Sequence, residues 1–189
     1  MLWWLLACGE NDRPQDDSAC PAEARDTGSQ VGVIADVCRC EEPIAEIGTG
    51  IEVYEDIVDD TLVMVHGPQG GWHLPAALRV HNTRNVISIV ARVTDVQTGI
   101  QVTEDLTYRV QVVQDDTCIG SYPNMFLYLW AEDLDPEATE AEAISCREVD
   151  IEMCVEDSGG RSFCETRRVF VEPDPVDVAS AQAPECEGR

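Results

Sequence analysis

All three histidines of the chain, His66, His73 and His81, fall in one stretch whose centre reads His66-Gly67-Pro68-Gln69-Gly70-Gly71-Trp72-His73-Leu74. Imidazole nitrogens suit copper and zinc, and a reversal at Gly70-Gly71 brings His66 towards His73 across a hairpin. With Asp59 and Asp60 upstream, His66 and His73 are the candidate metal ligands, for Cu or Zn. His81 stands further along, about 26 Å past His73 if the chain is extended, so a three-histidine site needs a bend. Gln69 and Trp72 form a second candidate, a partner-binding loop with Trp72 as a surface anchor beside the glycines. The preferred reading of the segment is a structural hairpin in which Trp72 and Leu74 pack inward.

No catalytic residue stands out. A Gly-x-Ser-x-Gly elbow, a His-Glu-x-x-His helix, a phosphate loop and a dinucleotide fingerprint are all lacking. The acidic pairs Glu41-Glu42, Asp59-Asp60 and Asp115-Asp116 are too ordinary in so acidic a chain to mark a glycosidase pair. The expectation is that this is not an enzyme.

The cysteines carry a different chemistry. Residues 1–7 are apolar and stop abruptly at Cys8-Gly9, before a polar stretch. Leu5-Leu6-Ala7-Cys8 resembles the lipobox of bacterial lipoproteins, in which a small residue admits the peptidase and the following thiol takes a diacylglyceryl group. The resemblance implies that Cys8 becomes the lipidated first residue and holds the chain to a lipid bilayer. Each buried methylene contributes about 0.8 kcal/mol, so two or three acyl chains anchor firmly where one does not. The apolar run is shorter than usual and no basic residue precedes it, which points to an upstream start. Gly9 stands where inner-membrane retention commonly uses Asp, so the outer membrane is the expected location.

Nine cysteines cannot all pair, but with Cys8 set aside for lipid the remainder is even: Cys20, Cys38, Cys40, Cys118, Cys146, Cys154, Cys164 and Cys186. Complete pairing fits an oxidising compartment. One bridge follows from geometry. The residues on either side of Ser158-Gly159-Gly160 alternate like two strands, and a three-residue turn sets Cys154 opposite Cys164, Val155 opposite Phe163 and Val149 opposite Val169. The other connectivities stay open.

A formal charge of -25 and a pI near 4.1 exclude a phosphate-neutralising face, so nucleic acid is not an expected partner. All 12 basic residues are arginine.

The elements that position these groups are short β-branched runs between turn residues. Strands are expected at 45–47, 52–54, 61–66, 72–80, 86–96, 100–114, 125–131, 147–156 and 161–171, with a helical stretch at 136–143 and a reversal at Thr98-Gly99. Ile87, Ile89, Ala91, Val93 and Asp95 share one face of their strand. This pattern predicts an all-β fold, an antiparallel β-sandwich with disulfides. Its parts are a signal segment (1–7), a lipidated, acidic, cysteine-containing flexible tether (8–42), the sandwich (43–173) and a flexible C-terminal tail (174–189).

Residues 45–113 also resemble a set of uncharacterised extracytoplasmic bacterial lipoproteins that share a Gly-x-Gln-Gly-Gly-x-His hairpin before a strand ending in Leu-Arg-Val. That family implies an immunoglobulin-like sandwich and a lipid anchor, and no activity. The functional expectation is a membrane-anchored, non-catalytic accessory module for adhesion or binding an envelope protein, with a periplasmic copper- or zinc-binding protein as the alternative.

Overall fold

Successive side chains of a strand point to opposite faces, so a half-buried strand needs alternating apolar and polar residues. The computed structural model describes residues 41–68 and 70–186. Its strands are β1 (Ile44–Gly48), β2 (Thr61–Val63), β3 (Val65–His66), β4 (Trp72–His81), β5 (Val86–Asp95), β6 (Leu106–Gln111), β7 (Val113–Asp116), β8 (Ile119–Tyr128), β9 (Arg147–Asp157) and β10 (Ser162–Glu172). Two short helices, α1 (Glu140–Ile144) and α2 (Pro175–Ala179), complete the set. Cys8, the tether cysteines and Gln69 lie outside the described residues.

One sheet has the order β1-β4-β8-β7, with β3 also paired to β4, and the other runs β2-β10-β9-β5-β6. Every pairing is antiparallel except β2 with β10. Lettering β1, β4, β8 and β7 as A, B, E and D, and β10, β9, β5 and β6 as G, F, C and C′, reproduces the strand order of an immunoglobulin-like sandwich. Leu74 and Leu78 of β4 and Met125 and Leu127 of β8 meet Ile87 and Ile89 of β5 and Ile151 and Met153 of β9 in a single core. Each such side chain contributes about 1.5–3 kcal/mol by leaving water. None of the largest fully buried side chains is aromatic.

The β9–β10 register has Cys154 opposite Cys164, Val155 opposite Phe163 and Val149 opposite Val169, and Cys154 is bonded to Cys164. The connecting turn closes through Asp157 and Gly160, whose φ of 83° is left-handed. The inward face of β5 is Ile87, Ile89, Ala91, Val93 and Asp95, and the chain returns past Gly99 to pair with β6.

Four expectations need correction. Residues 52–54 form no strand: Gly50, at φ 116°, turns the chain so that Thr49 and Glu55 bridge around them. The run 100–114 breaks into β6 and β7 at Val112, which is buried and donates its N–H to Asn85. β8 begins well before Met125 because a register irregularity opposite Ala76–Leu78 absorbs Pro123 and Asn124, which read as turn residues. The helix begins at Glu140, where Thr139 and Glu142 form a reciprocal capping box.

The C-terminal segment is tied back to the sandwich through Cys186, the one circumstance in which its end is not expected to be mobile. Pro175 starts α2 behind an Asp174 cap, Asp177 is buried, and Cys186 is bonded to Cys146. This strap lies against the end of β4 that carries the candidate residues.

Candidate functional site

β3 and β4 pair around the Gly-rich reversal, with His66 opposite Trp72 and Val65 opposite His73. Neighbouring residues of a strand face opposite ways, so this register separates the two histidines. His66 stacks on Trp72, with ring centroids 4.5 Å apart. His73 is buried on the other face, edge-on to Phe126 at 4.6 Å and tilted against Tyr128 at 5.9 Å. Burial pushes its imidazole below the usual pKa. The two candidate metal ligands therefore do not converge, and among the described residues no group of three or more His, Cys, Asp or Glu side chains is placed to hold a metal ion.

Trp72 is not a free surface anchor. It is half-buried against the core, and its indole N–H donates to Asp177 at 2.6 Å. The second carboxylate oxygen of Asp177 lies 3.1 Å from His66 Nδ1, and Asp174 accepts the His66 backbone N–H. A carboxylate orienting an imidazole is half of an acid–base relay. No hydroxyl or thiol among the described residues hydrogen-bonds the other ring nitrogen, so the arrangement here fastens α2 to the hairpin.

A second polar node closes the opposite end of the sandwich. Asp157 is buried and accepts the backbone N–H groups of Gly159, Arg161 and Arg84, together with Arg161 Nε. Burial alone would push its carboxyl upward, but those donors outweigh it and hold the carboxyl below its usual range. Beside it an open depression of about 320 Å³ is lined by Ser88, Arg109, Glu156 and Ser158.

The feature that sequence reasoning missed is on β8. Met125, Leu127 and Leu129 point into the core, while Phe126, Tyr128 and Trp130 are 36%, 58% and 57% exposed. The extended backbone continues past the strand, because Leu129 donates to Trp72 and Trp130 to Val102. The Phe126 and Tyr128 rings are 6.2 Å apart and tilted by 53°, with His73 beneath them. A large aromatic side chain gains more from leaving water than almost any other, yet here three in alternation face out from a sandwich with an aliphatic core. Such a strip meets the description of an interface anchor, large and rigid and rich in Tyr and Trp.

No protein-family model matches the chain, and no curated protein matches it.

Proposed function

We propose that this chain is a lipid-anchored, extracytoplasmic, non-catalytic binding module that holds a protein partner of the cell envelope on the outer face of β8. The observation that carries the reading is the exposed strip Phe126, Tyr128 and Trp130. Supporting the compartment, every cysteine among the described residues, including Cys118, is disulfide-bonded. Supporting the anchor, Leu5-Leu6-Ala7-Cys8 has the residue types that lipidation requires. On this reading the anchored end keeps the module at a bilayer, the sandwich is a rigid support, and the strip is the contact.

The test is site-specific photocrosslinking in the native envelope, with a benzophenone amino acid at position 128 and, as control, at position 168 on the other sheet. A discrete adduct at 128, lost when Trp130 is replaced by Ala, is expected. No adduct at 128, or the same adduct from both positions, overturns the proposal.

A further inference from the structure

We propose that the segment received by this face is cationic, an extended Arg- or Lys-bearing stretch of the partner whose side chains lie over the rings of Phe126, Tyr128 and Trp130. The inference rests on the preceding reading of the strip as a partner contact and adds the chemistry of what is contacted.

Charge complementarity is the first support. The chain carries a formal charge of -25, and Arg79, Arg92, Arg147, Arg161, Arg167 and Arg168 are each held by a carboxylate of the chain itself. Arg79 is the only arginine in the strands of the sheet that bears the strip, and it is engaged by Glu46. Burial lowers the pKa of His73, whose imidazole lies against the Phe126 and Tyr128 rings. Among the described residues, no guanidinium lies over the rings of Phe126, Tyr128 or Trp130. At the Trp130 end, Glu132 and Asp133 follow directly in the sequence, and Glu104 stands two residues past the Val102 carbonyl that accepts the Trp130 N–H. All three carboxylates are exposed and form no ion pair among the described residues.

Ring geometry is the second support. The Phe126 and Tyr128 rings are tilted by 53° and so present separate faces. Tilted faces beside carboxylates suit a slim aliphatic stem ending in a guanidinium or ammonium, attracted by the ring quadrupole and by the nearby charge. The molecule already uses this contact once: the Arg79 guanidinium lies over the Tyr54 ring, 3.9 Å from its centroid, with Glu46 beside it.

The experiment titrates the full chain, in non-ionic detergent, with a peptide of alternating Arg and Gly and with a citrulline peptide of equal length. Parent, Tyr128→Leu/Trp130→Leu and, as a control remote in sequence, Val58→Ala are compared at low and high salt, after their unfolding midpoints are shown to agree. Expected are binding of the arginine peptide only, weakening with salt, and a loss of about tenfold in the Leu double variant, which keeps apolar surface and removes two of the three π faces. Equal binding of the two peptides, or an unchanged Leu double variant, overturns the cationic assignment. Binding of a neutral oligosaccharide through Tyr128 and Trp130, or self-association that the Leu double variant abolishes, also overturns it by seating another occupant. If the crosslink at position 128 persists while the arginine peptide fails, only the chemistry proposed here falls. If the crosslink fails, the strip is not a partner contact at all.

Discussion

Asp177 accepts the indole N–H of Trp72 at 2.6 Å, joining helix α2 to the first residue of β4 across 105 positions of sequence. The same carboxylate meets His66, so one buried side chain holds both strands of the hairpin and the strap that crosses them.

Replacing Asp177 with Ala leaves the Trp72 N–H and the His66 ring without their acceptor. The expected cost is about 1–3 kcal/mol in urea unfolding. Asp177→Asn, which keeps one acceptor oxygen, costs less. A tryptophan emission shift on Asp177→Ala that is absent from Asp177→Ala/Trp72→Phe assigns the change to this contact, and equal stability of Asp177→Ala and parent would deny it any role.

The two described disulfides should differ in how far their loss is felt. Cys154–Cys164 closes a separation of 10 residues inside a sheet, so the double Ala variant loses about 2.5–3 kcal/mol of global stability in the loop-entropy account. Cys146–Cys186 ties down the strap. Its removal is expected to raise hydrogen exchange at Val178 and Ser180, whose N–H groups bond within α2, while β9 and β10 keep their protection.

Much of this frame is legible in the residues. Cys154 falls opposite Cys164 because two alternating runs flank a turn that needs Gly160, and local chemistry of that kind is written in order along the chain. The strip was not legible, since Phe126-Leu127-Tyr128-Leu129-Trp130 is apolar in both alternating sets and period alone cannot choose which set faces out. Asp177 was invisible for another reason. Its partners lie more than a hundred residues away, and nothing local distinguishes it from the acidic residues around it. Trp72 beside two glycines reads first as a packed hairpin residue and second as an anchor, but its partner Asp177 on α2 could not be read from the local sequence.

Outward and inward residues of β8 should respond in opposite ways. Tyr128→Ala and Trp130→Ala are expected to change stability by no more than about 0.5 kcal/mol, because those side chains keep much of their contact with water. Leu127→Ala, between them and fully buried, is expected to cost about 2–5 kcal/mol. Thermal and urea unfolding of the three variants checks the contrast, which disappears if the strip is part of the core.

His73 makes the domain sensitive to mild acid. Burial lowers its pKa, so the folded state takes up the proton less readily than the unfolded chain. The stability it supports at neutral pH is lost as the pH falls below about 6.5, the unfolded value, towards the folded one. His73→Gln should flatten the unfolding midpoint between about pH 7 and 5 relative to the parent, and taking the difference removes the shared effect of net charge. Parallel curves would place the acid response elsewhere. At still lower pH Asp157 follows the same sign: its carboxyl lies below its unfolded value, and its contribution is lost as the pH falls through the folded one.

Intact mass of the native protein extracted from membranes, with and without reductant, tests the proposed lipid anchor and the proposed oxidising compartment at once. The account predicts a mature chain starting at Cys8 with diacylglyceryl and acyl mass added, gaining two hydrogens for each bridge on reduction. A water-soluble, unacylated chain with all its thiols already reduced would contradict it.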